Sequence, residues 1–326
     1  MSLFSVEGLT IEIVRGDSEQ AQTVIRDVAF SLEPGEAVAL VGESGSGKSL
    51  VALGSIDLLP PGARVVSGTT RFEGIELQEL DEADWRRLVG MGIGVLLQDA
   101  IGSWDPTYIV GLQSGEVFEE HDEEMSIEEI RERVLKAFGE AQLPKRFLFG
   151  ALAEDMSRGQ AQRAMLATTM LTSTRILIAD EPLSGLDVTT ARAVLDLIDD
   201  LRRKRGMAML LVTHDLAVVA GVADRVAVMY GGMIVEEADT STLFRTPRHP
   251  YTSGLLRSVP GFGVTRLEPI PGESPNIWEI LPGCPFAPRC AHAVDDCRRV
   301  RPDLRPIDGS QVACLRSDYL DLPGIG

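Results

Sequence analysis

The chain has 326 residues, long enough for one large domain or two ordinary ones whose core needs no covalent staples. It carries 31 Lys and Arg against 49 Asp and Glu, and the net charge of −18 argues against a general binder of nucleic acid. No apolar run reaches the roughly 18 residues of a membrane-spanning helix, and residues 1–10 lack a secretion signal, so we expect a cytosolic chain.

The first informative pattern is a strand, a glycine-rich loop and a helix in direct succession. Residues 37–41 are apolar, residues 42–49 read Gly-Glu-Ser-Gly-Ser-Gly-Lys-Ser, and apolar residues then resume. Glycines let backbone N–H groups turn toward phosphate oxygens, a Lys reaches the β and γ phosphates, and a hydroxyl ligates Mg²⁺. The pattern therefore predicts a phosphate site made by Gly42, Ser44, Gly45, Ser46, Gly47, Lys48, Ser49 and Leu50.

Polar residues follow three further apolar segments. Gln98 follows residues 94–97, Asp180 and Glu181 follow residues 176–179, and His214 follows residues 207–213. A carboxylate at a strand end can hold Mg²⁺, and Glu181 beside it can activate a water as a general base. Each feature alone is weak evidence, because strand-end acidic pairs commonly start loops and a lone His is more often structural. These residues become stronger evidence for a phosphate site because they follow the Lys48 loop in the same chain.

The remaining elements predict a parallel sheet with helices on its faces. The apolar stripe Val194, Leu195, Leu197, Ile198 and Leu201 predicts a helix that ends at Gly206. A Gly231-Gly232 turn predicts a hairpin between residues 226–229 and 233–235. Residues 99–160 interrupt the strand and helix alternation, which indicates an inserted helical subdomain, and we expect its acidic run at residues 116–133 to be a solvated face.

From residue 258 onward, frequent prolines predict a separate, loop-rich extension. All four cysteines of the chain lie there, at Cys284, Cys290, Cys297 and Cys314. In a reducing compartment such a cluster favours a metal over disulfides, although the spacing lacks the C-x2-C pair usual in structural zinc sites. Four thiolates suit a four-iron, four-sulfur cluster or tetrahedral Zn²⁺, and free or disulfide-bonded thiols are the remaining alternative.

Together these motifs resemble the ATP-binding-cassette (ABC) ATPases. The resemblance implies an α/β fold, a P-loop cassette with a RecA-like parallel sheet, an antiparallel β subdomain and the inserted helices, over residues 1–257, with the extension at residues 258–326. Residues 42–49 correspond to the Walker A loop, Gln98 to the Q-loop, and Asp180 with Glu181 to Walker B. Residues 184–187, ending at Asp187, correspond to the D-loop, and His214 to the switch histidine. The implied ligands are ATP and Mg²⁺, with the metal held by Ser49, Gln98 and Asp180.

Residues 98–106, 248–252 and 284–290 look like the oligopeptide and dipeptide importer branch of this family. That resemblance implies an ATP-hydrolysing subunit at the cytoplasmic face of the membrane, with a second cassette, two transmembrane permease subunits and an extracytoplasmic solute-binding protein. It also implies a [4Fe-4S] cluster at the four cysteines. Nickel, metal chelates or glutathione are alternative cargoes. A soluble cassette ATPase without a membrane partner and a catalytically silent regulatory subunit are alternative classes.

The signature segment, residues 156–160, departs from the family pattern. It reads Met-Ser-Arg-Gly-Gln, whereas the family usually has Leu-Ser-Gly-Gly followed by Gln or Met. The resemblance implies that Ser157, Gly159 and Gln160 complete the nucleotide site of a partner cassette. Because Arg158 replaces a glycine whose backbone freedom matters there, we expect a heterodimer of cassettes in which one of the two sites turns over slowly.

Overall fold

The computed structural model describes residues 2–14, 21–121, 125–144, 150–259, 268–275, 278 and 281–325. The chain forms two compact units, Met1–Gln78 with Leu211–Gly326, and Glu79–Leu210. The predicted boundaries at residues 99, 160 and 257 stay predictions. Within the described residues, none of the helices combines the length and apolar character needed to cross a bilayer.

The described residues form strands and helices that alternate in only part of the chain. In chain order they begin with β1 (Phe4–Val14), β2 (Ala21–Leu32), β3 (Ala37–Val41), α1 (Lys48–Gly54), β4 (Ala63–Phe72) and β5 (Ile75–Glu76). There follow α2 (Glu82–Gly92), β6 (Ile93–Leu96), α3 (Val110–His121), α4 (Ile127–Glu140), α5 (Arg158–Thr169), β7 (Ile176–Asp180) and α6 (Val188–Arg205). The last elements are β8 (Ala208–Thr213), α7 (Leu216–Val222), β9 (Arg225–Tyr230), β10 (Met233–Asp239), α8 (Thr240–Arg245), α9 (Pro250–Arg257), α10 (Asp295–Arg299), β11 (Arg305–Ile307) and β12 (Ser310–Val312).

The first unit contains an antiparallel sheet in the order β2-β1-β4-β5, as the family resemblance implies. The same unit pairs β3 parallel to β9, with Val41 opposite Val228. Strand β10 folds back on β9 with Met233 opposite Tyr230, which confirms the predicted hairpin. Gly231 and Gly232 have φ angles of 57° and 77°, the left-handed conformation that a two-residue hairpin turn requires.

The described part of the C-terminal extension is loop-rich, but it also contributes two strands that the sequence analysis did not predict. Strand β12 pairs antiparallel with β10, with Glu236 opposite Val312, and β11 pairs with β12. Asp308 and Gly309 join β11 to β12 with φ angles of 45° and 86°. An Asp-Gly pair is a strong hairpin signal, so the sequence did contain the evidence for this turn.

The core of the first unit joins the extension to the sheet. Phe286 of the extension packs with Tyr230 of β9 and Tyr251 of α9 in one buried cluster. The Phe286 ring meets the Tyr230 ring edge-on at 5.1 Å between centroids, and the two tyrosine rings lie 4.5 Å apart. Aromatic contacts of this geometry add to the stabilisation that comes from burial alone. The extension is therefore part of a shared core.

In the second unit, β6 pairs parallel to β7 with Leu96 opposite Ala179. Helix α6 buries the whole predicted stripe, and Gly206 ends it with a left-handed φ of 65°, so both predictions are confirmed. Helices α3 and α4 lie in the predicted helical region, and α5 begins at its end and continues to Thr169. The acidic residues there whose side chains are described are exposed, as predicted: Glu116, Glu128, Glu129 and Glu132. The others lie outside the described side chains: Glu119, Glu120, Asp122, Glu123 and Glu124.

Candidate functional site

The phosphate loop, residues 42–49, lies between β3 and α1 in the first unit. Gly42, Gly45 and Gly47 have φ angles of 156°, 79° and 98°, and Gly47 is the residue that precedes the helix. At Gly42 a Cβ would run into the carbonyl oxygen of Met229, so no larger residue fits there. Such a backbone turns successive N–H groups toward one side, which is the arrangement that binds phosphate.

Lys48 is the first residue of α1, and its side chain folds back over the loop. Its Nζ donates to the carbonyl oxygens of Gly42 at 2.9 Å and Glu43 at 3.0 Å. The residue is buried, with 6% of its surface exposed. A phosphate oxygen is a stronger acceptor for an ammonium group than a neutral carbonyl oxygen is. The Lys48 ammonium group can therefore exchange these carbonyl acceptors for the oxygens of a bound phosphate.

The extension contacts the phosphate loop through Arg289. Its Nη1 and Nη2 donate to the Glu43 carboxylate at 2.7 Å and 3.1 Å, and the Glu43 N–H donates to Tyr251 Oη at 2.9 Å. Burial alone raises the pKa of Glu43, but the hydrogen bonds from Arg289 and Ser274 outweigh it and hold that pKa below its ordinary value. Sequence reasoning missed this contact, because Glu43 and Arg289 are 246 positions apart and no local pattern joins them.

In the second unit, three predicted residues lie at the carboxyl edge of one pair of strands. Asp180 ends β7 and is buried, Glu181 follows it, and Gln98 comes two residues after β6. Because β6 and β7 are parallel, these side chains start from the same edge. Glu181 has a left-handed φ of 47°, a conformation that costs a non-glycine residue free energy and is concentrated at functional sites.

The predicted nucleotide site is thus divided between the units. The first unit carries the phosphate loop, Leu50 and His214, which follows β8 and is exposed. The second carries Gln98, Asp180, Glu181 and the residues assigned to the signature and the D-loop. Their joint action on one nucleotide remains a prediction.

The signature and D-loop residues of the second unit cap helices. Ser157 Oγ accepts from Gln160 N at 3.3 Å, while Gln160 Oε1 accepts from Ser157 N at 2.9 Å, a reciprocal capping box at the start of α5. Asp187 caps α6 by accepting from Thr190 N at 3.0 Å, and the Thr190 hydroxyl also donates to its carboxylate at 2.6 Å, which lowers the pKa of Asp187. A Cβ at Gly159 would lie 2.6 Å from Thr190 Cγ2, so Gly159 permits the close approach of the two segments.

Arg158 corrects one part of the sequence analysis. It begins α5 and is not among the described residues with positive φ, so this position needs no glycine backbone. Its guanidinium lies against Gly185, where a Cβ would collide with it. The substitution for glycine therefore leaves the helix start intact and places a charged side chain beside the D-loop.

The four cysteines line one cavity together with His249 and His292. All four are free thiols, and Cys297 and Cys314 are buried. Burial, with smaller contributions from neighbouring cysteines, raises the pKa of Cys284 to about 12 and also raises the pKa of Cys290 and Cys314. Within the described ranges, no group of three or more Cys, His, Asp or Glu side chains has an arrangement that could hold a metal ion. The arrangement of the described side chains is therefore not that of a formed metal site, and the predicted iron–sulfur cluster or zinc ion is not confirmed.

Two family descriptions match the chain: "ABC transporter" over residues 25–184, and "Oligopeptide/dipeptide transporter, C-terminal region" over residues 235–297. Among similar proteins is the oligopeptide transport ATP-binding protein OppD of Mycobacterium tuberculosis, 40% identical over 91% of this chain and 49% of that protein. The dipeptide transport ATP-binding protein DppD of Haemophilus influenzae is 36% identical over 96% of this chain and 95% of that protein. The chain thus spans about half the length of the mycobacterial relative and nearly all of the other.

A solved structure agrees with these family matches. The dimeric structure of MJ0796, a bacterial ABC transporter cassette, superposes with a TM-score of 0.64 at 25% identity, over 73% of this chain and 98% of that one. The glycine-rich loop ahead of α1, the antiparallel sheet and the similarity to DppD over 96% of this chain agree with one another. The chain therefore belongs to the ABC transporter family, in the group of oligopeptide and dipeptide transport ATP-binding proteins.

Proposed function

We propose that this chain binds ATP with Mg²⁺ at the phosphate loop and hydrolyses it to drive a peptide importer. The observation that carries the proposal is the loop itself: three glycines with left-handed φ angles lead directly into the helix that begins at Lys48. The backbone donors and the Lys48 ammonium group are suited to a triphosphate, which is the most highly charged part of the nucleotide.

Each predicted residue takes a role that its chemistry allows. Lys48 and the N–H groups of Gly42 and of residues 44–50 hold the phosphates. Ser49, Gln98 and Asp180 offer oxygen ligands of the kind that Mg²⁺ prefers, and the ion offsets charge on the phosphates when it is bound. Glu181 accepts a proton from the water that attacks the γ-phosphorus as ADP leaves, and His214 contacts the γ-phosphate.

The test of this mechanism is Glu181→Gln in the assembled transporter. The amide cannot take a proton, so phosphate release should fall by about 10²- to 10⁴-fold while ATP binding persists. Glu154→Gln, which changes an exposed carboxylate of the same unit, is the matched control and should hydrolyse normally. Wild-type turnover by the Glu181 variant would contradict the assignment.

We propose that the active form is a pair of cassettes with two permease subunits and a solute-binding protein, held at the cytoplasmic face of the membrane. In that pair, Ser157, Gly159, Gln160 and Asp187 face the nucleotide of the second cassette. The charged Arg158 side chain beside Gly185 of the D-loop supports a heterodimer with unequal sites. Comparing Glu181→Gln with the equivalent change in the partner tests this: equal losses of ATP hydrolysis would exclude the asymmetry.

The proposed cargo is an oligopeptide or dipeptide. Support comes from the names of the mycobacterial and Haemophilus relatives and from the match of residues 235–297 to the transporter C-terminal region. Uptake of a labelled dipeptide and a labelled pentapeptide by proteoliposomes that contain the whole transporter tests the cargo. Competition by nickel or glutathione, without competition by unlabelled peptide, would contradict a peptide cargo and favour the competing solute.

We also propose that Cys284, Cys290, Cys297 and Cys314 take up a [4Fe-4S] cluster or a zinc ion. The convergence of all four thiols on one cavity supports this, although binding requires the thiols to deprotonate and approach one another. Iron and zinc counts on anaerobically purified protein, with its absorbance near 400 nm, provide the test. Protein without either metal would contradict the proposal.

A further inference from the structure

Arg289 lies in the segment between Cys284 and Cys290 and reaches the phosphate loop within the first unit. Its guanidinium forms a two-pronged ion pair with the Glu43 carboxylate, and only 8% of its side chain is exposed. Two-pronged pairs of this kind fix both the distance and the orientation of the carboxylate. The contact is therefore suited to setting the position of a residue.

Glu43 is a negative charge inside a loop that has to receive a triphosphate. Its N–H donates to Tyr251 Oη, its carbonyl oxygen accepts from Lys48 Nζ, and its carboxylate accepts from Arg289. Glu43 thus links the extension to the lysine of the phosphate loop. Without Arg289, its carboxylate would be left partly buried and would repel the phosphates.

Residues of the extension and Tyr230 of β9 together hold Arg289 in place. Its Nε donates to the Pro271 carbonyl at 2.9 Å, its Nη1 donates to Tyr230 Oη at 3.1 Å, and its guanidinium carbon lies 5.8 Å from the centre of the Tyr230 ring. The Arg289 N–H donates to the Phe286 carbonyl at 3.0 Å, in a turn anchored by the buried Phe286 ring. A guanidinium held by this many contacts is ordered before any nucleotide binds.

We propose that Arg289 is a positioning residue for the nucleotide site: its pairing with Glu43 fixes the phosphate loop and neutralises a charge that would oppose ATP. The inference rests on the proposed function, ATP binding at that loop. A purely structural ion pair predicts something different, because either single substitution would then destabilise the chain and weaken binding to a similar degree.

The test is calorimetric titration of the full chain with ATP and Mg²⁺. Arg289→Met should raise the Kd by about tenfold, because it leaves the Glu43 charge unpaired beside the phosphates. Glu43→Gln removes that charge and should stay within about threefold of wild type, as should the double variant Glu43→Gln with Arg289→Met. Arg289→Lys keeps the positive charge and should recover most of the affinity. Arg305→Met is the control, since Arg305 pairs with Asp318 inside the extension.

The outcomes separate the two levels of the proposal. A wild-type chain that takes up no ATP would overturn the proposed function and this inference together. Wild-type binding with an unchanged Kd in Arg289→Met would overturn the inference alone. Equal weakening by Arg289→Met and Glu43→Gln, with matching losses in melting temperature, would also overturn it. Should Arg289→Met fail to fold, the double variant decides: a Kd near wild type supports charge neutralisation, and a tenfold increase opposes it.

Discussion

The phosphate loop and the signature segment both precede a helix, yet they hold their shapes in different ways. In the phosphate loop, Glu43 is bonded to Tyr251 and Arg289, which are 208 and 246 positions away. In the signature segment, Ser157 and Gln160 satisfy each other across three positions. The first shape depends on tertiary contacts and glycine backbone angles, whereas the second is encoded locally.

This difference determines what substitutions in each segment should do. A change in the phosphate loop should disturb contacts spread over the first unit, because that loop packs against β9, α9 and the extension. A change at Ser157 in the signature segment should remove a single local cap, because the partner group of Ser157 lies in the same helical turn.

Gly42→Ala should lower the free energy of unfolding by about 3 kcal/mol, because a Cβ there collides with the Met229 carbonyl at a φ that alanine rarely adopts. Gly139→Ala is the matched control. Gly139 lies in α4 with no atom within 4 Å of an added Cβ, so alanine there should stabilise the chain by about 0.5–1 kcal/mol. Urea unfolding of both variants measures the difference. A Gly42→Ala variant as stable as wild type would contradict the claim that the phosphate loop depends on tertiary contacts.

The network beneath the phosphate loop should make stability depend on pH. His249 Nδ1 accepts from Tyr251 N at 3.0 Å, and burial lowers the pKa of His249 from 6.5 to about 3. Between about pH 3 and pH 6.5, His249 therefore binds a proton in the unfolded chain but not in the folded chain. Stability should fall as pH decreases from about 6.5 toward 3, with a contribution of up to about 1.4 kcal/mol per pH unit from this group.

The control for this dependence is His249→Asn, because asparagine can cap α9 without titrating. Glu236 accepts from the His249 N–H at 2.8 Å, and burial raises its pKa, so it contributes stability that is lost as pH rises. That contribution is common to both proteins and cancels in the comparison. Urea unfolding between pH 7 and 5 should show a shallower slope for the variant, and equal slopes would exclude His249 as the source.

Ser157→Ala should lower the free energy of unfolding by about 1 kcal/mol, the usual contribution of a helix N-cap. Ser44→Ala, at an exposed position of the phosphate loop, should change stability by less than about 0.5 kcal/mol. Thermal unfolding of the two variants measures this smallest effect. A loss for Ser157→Ala no larger than the loss for Ser44→Ala would contradict the assignment of a stabilising local cap to Ser157.

The sequence predicted those elements whose structure depends on residues close together in the chain. Helix α6 and its Gly206 end followed from apolar spacing, and the hairpin at Gly231-Gly232 followed from turn chemistry. The β11–β12 hairpin was missed although Asp308-Gly309 signals it, because the surrounding prolines suggested irregular structure. The ion pair of Glu43 with Arg289 could not be predicted, since it depends on how the extension packs on Tyr230 and Tyr251.

The measurement that tests the central claim most directly is calorimetric titration of the wild-type chain and Lys48→Met with ATP and Mg²⁺. The account predicts saturable binding by wild type and a Kd about 10- to 100-fold higher for the variant, which loses a charge-assisted bond to phosphate. A wild-type chain that binds no nucleotide, or a Lys48→Met variant that binds it equally well, would contradict the account.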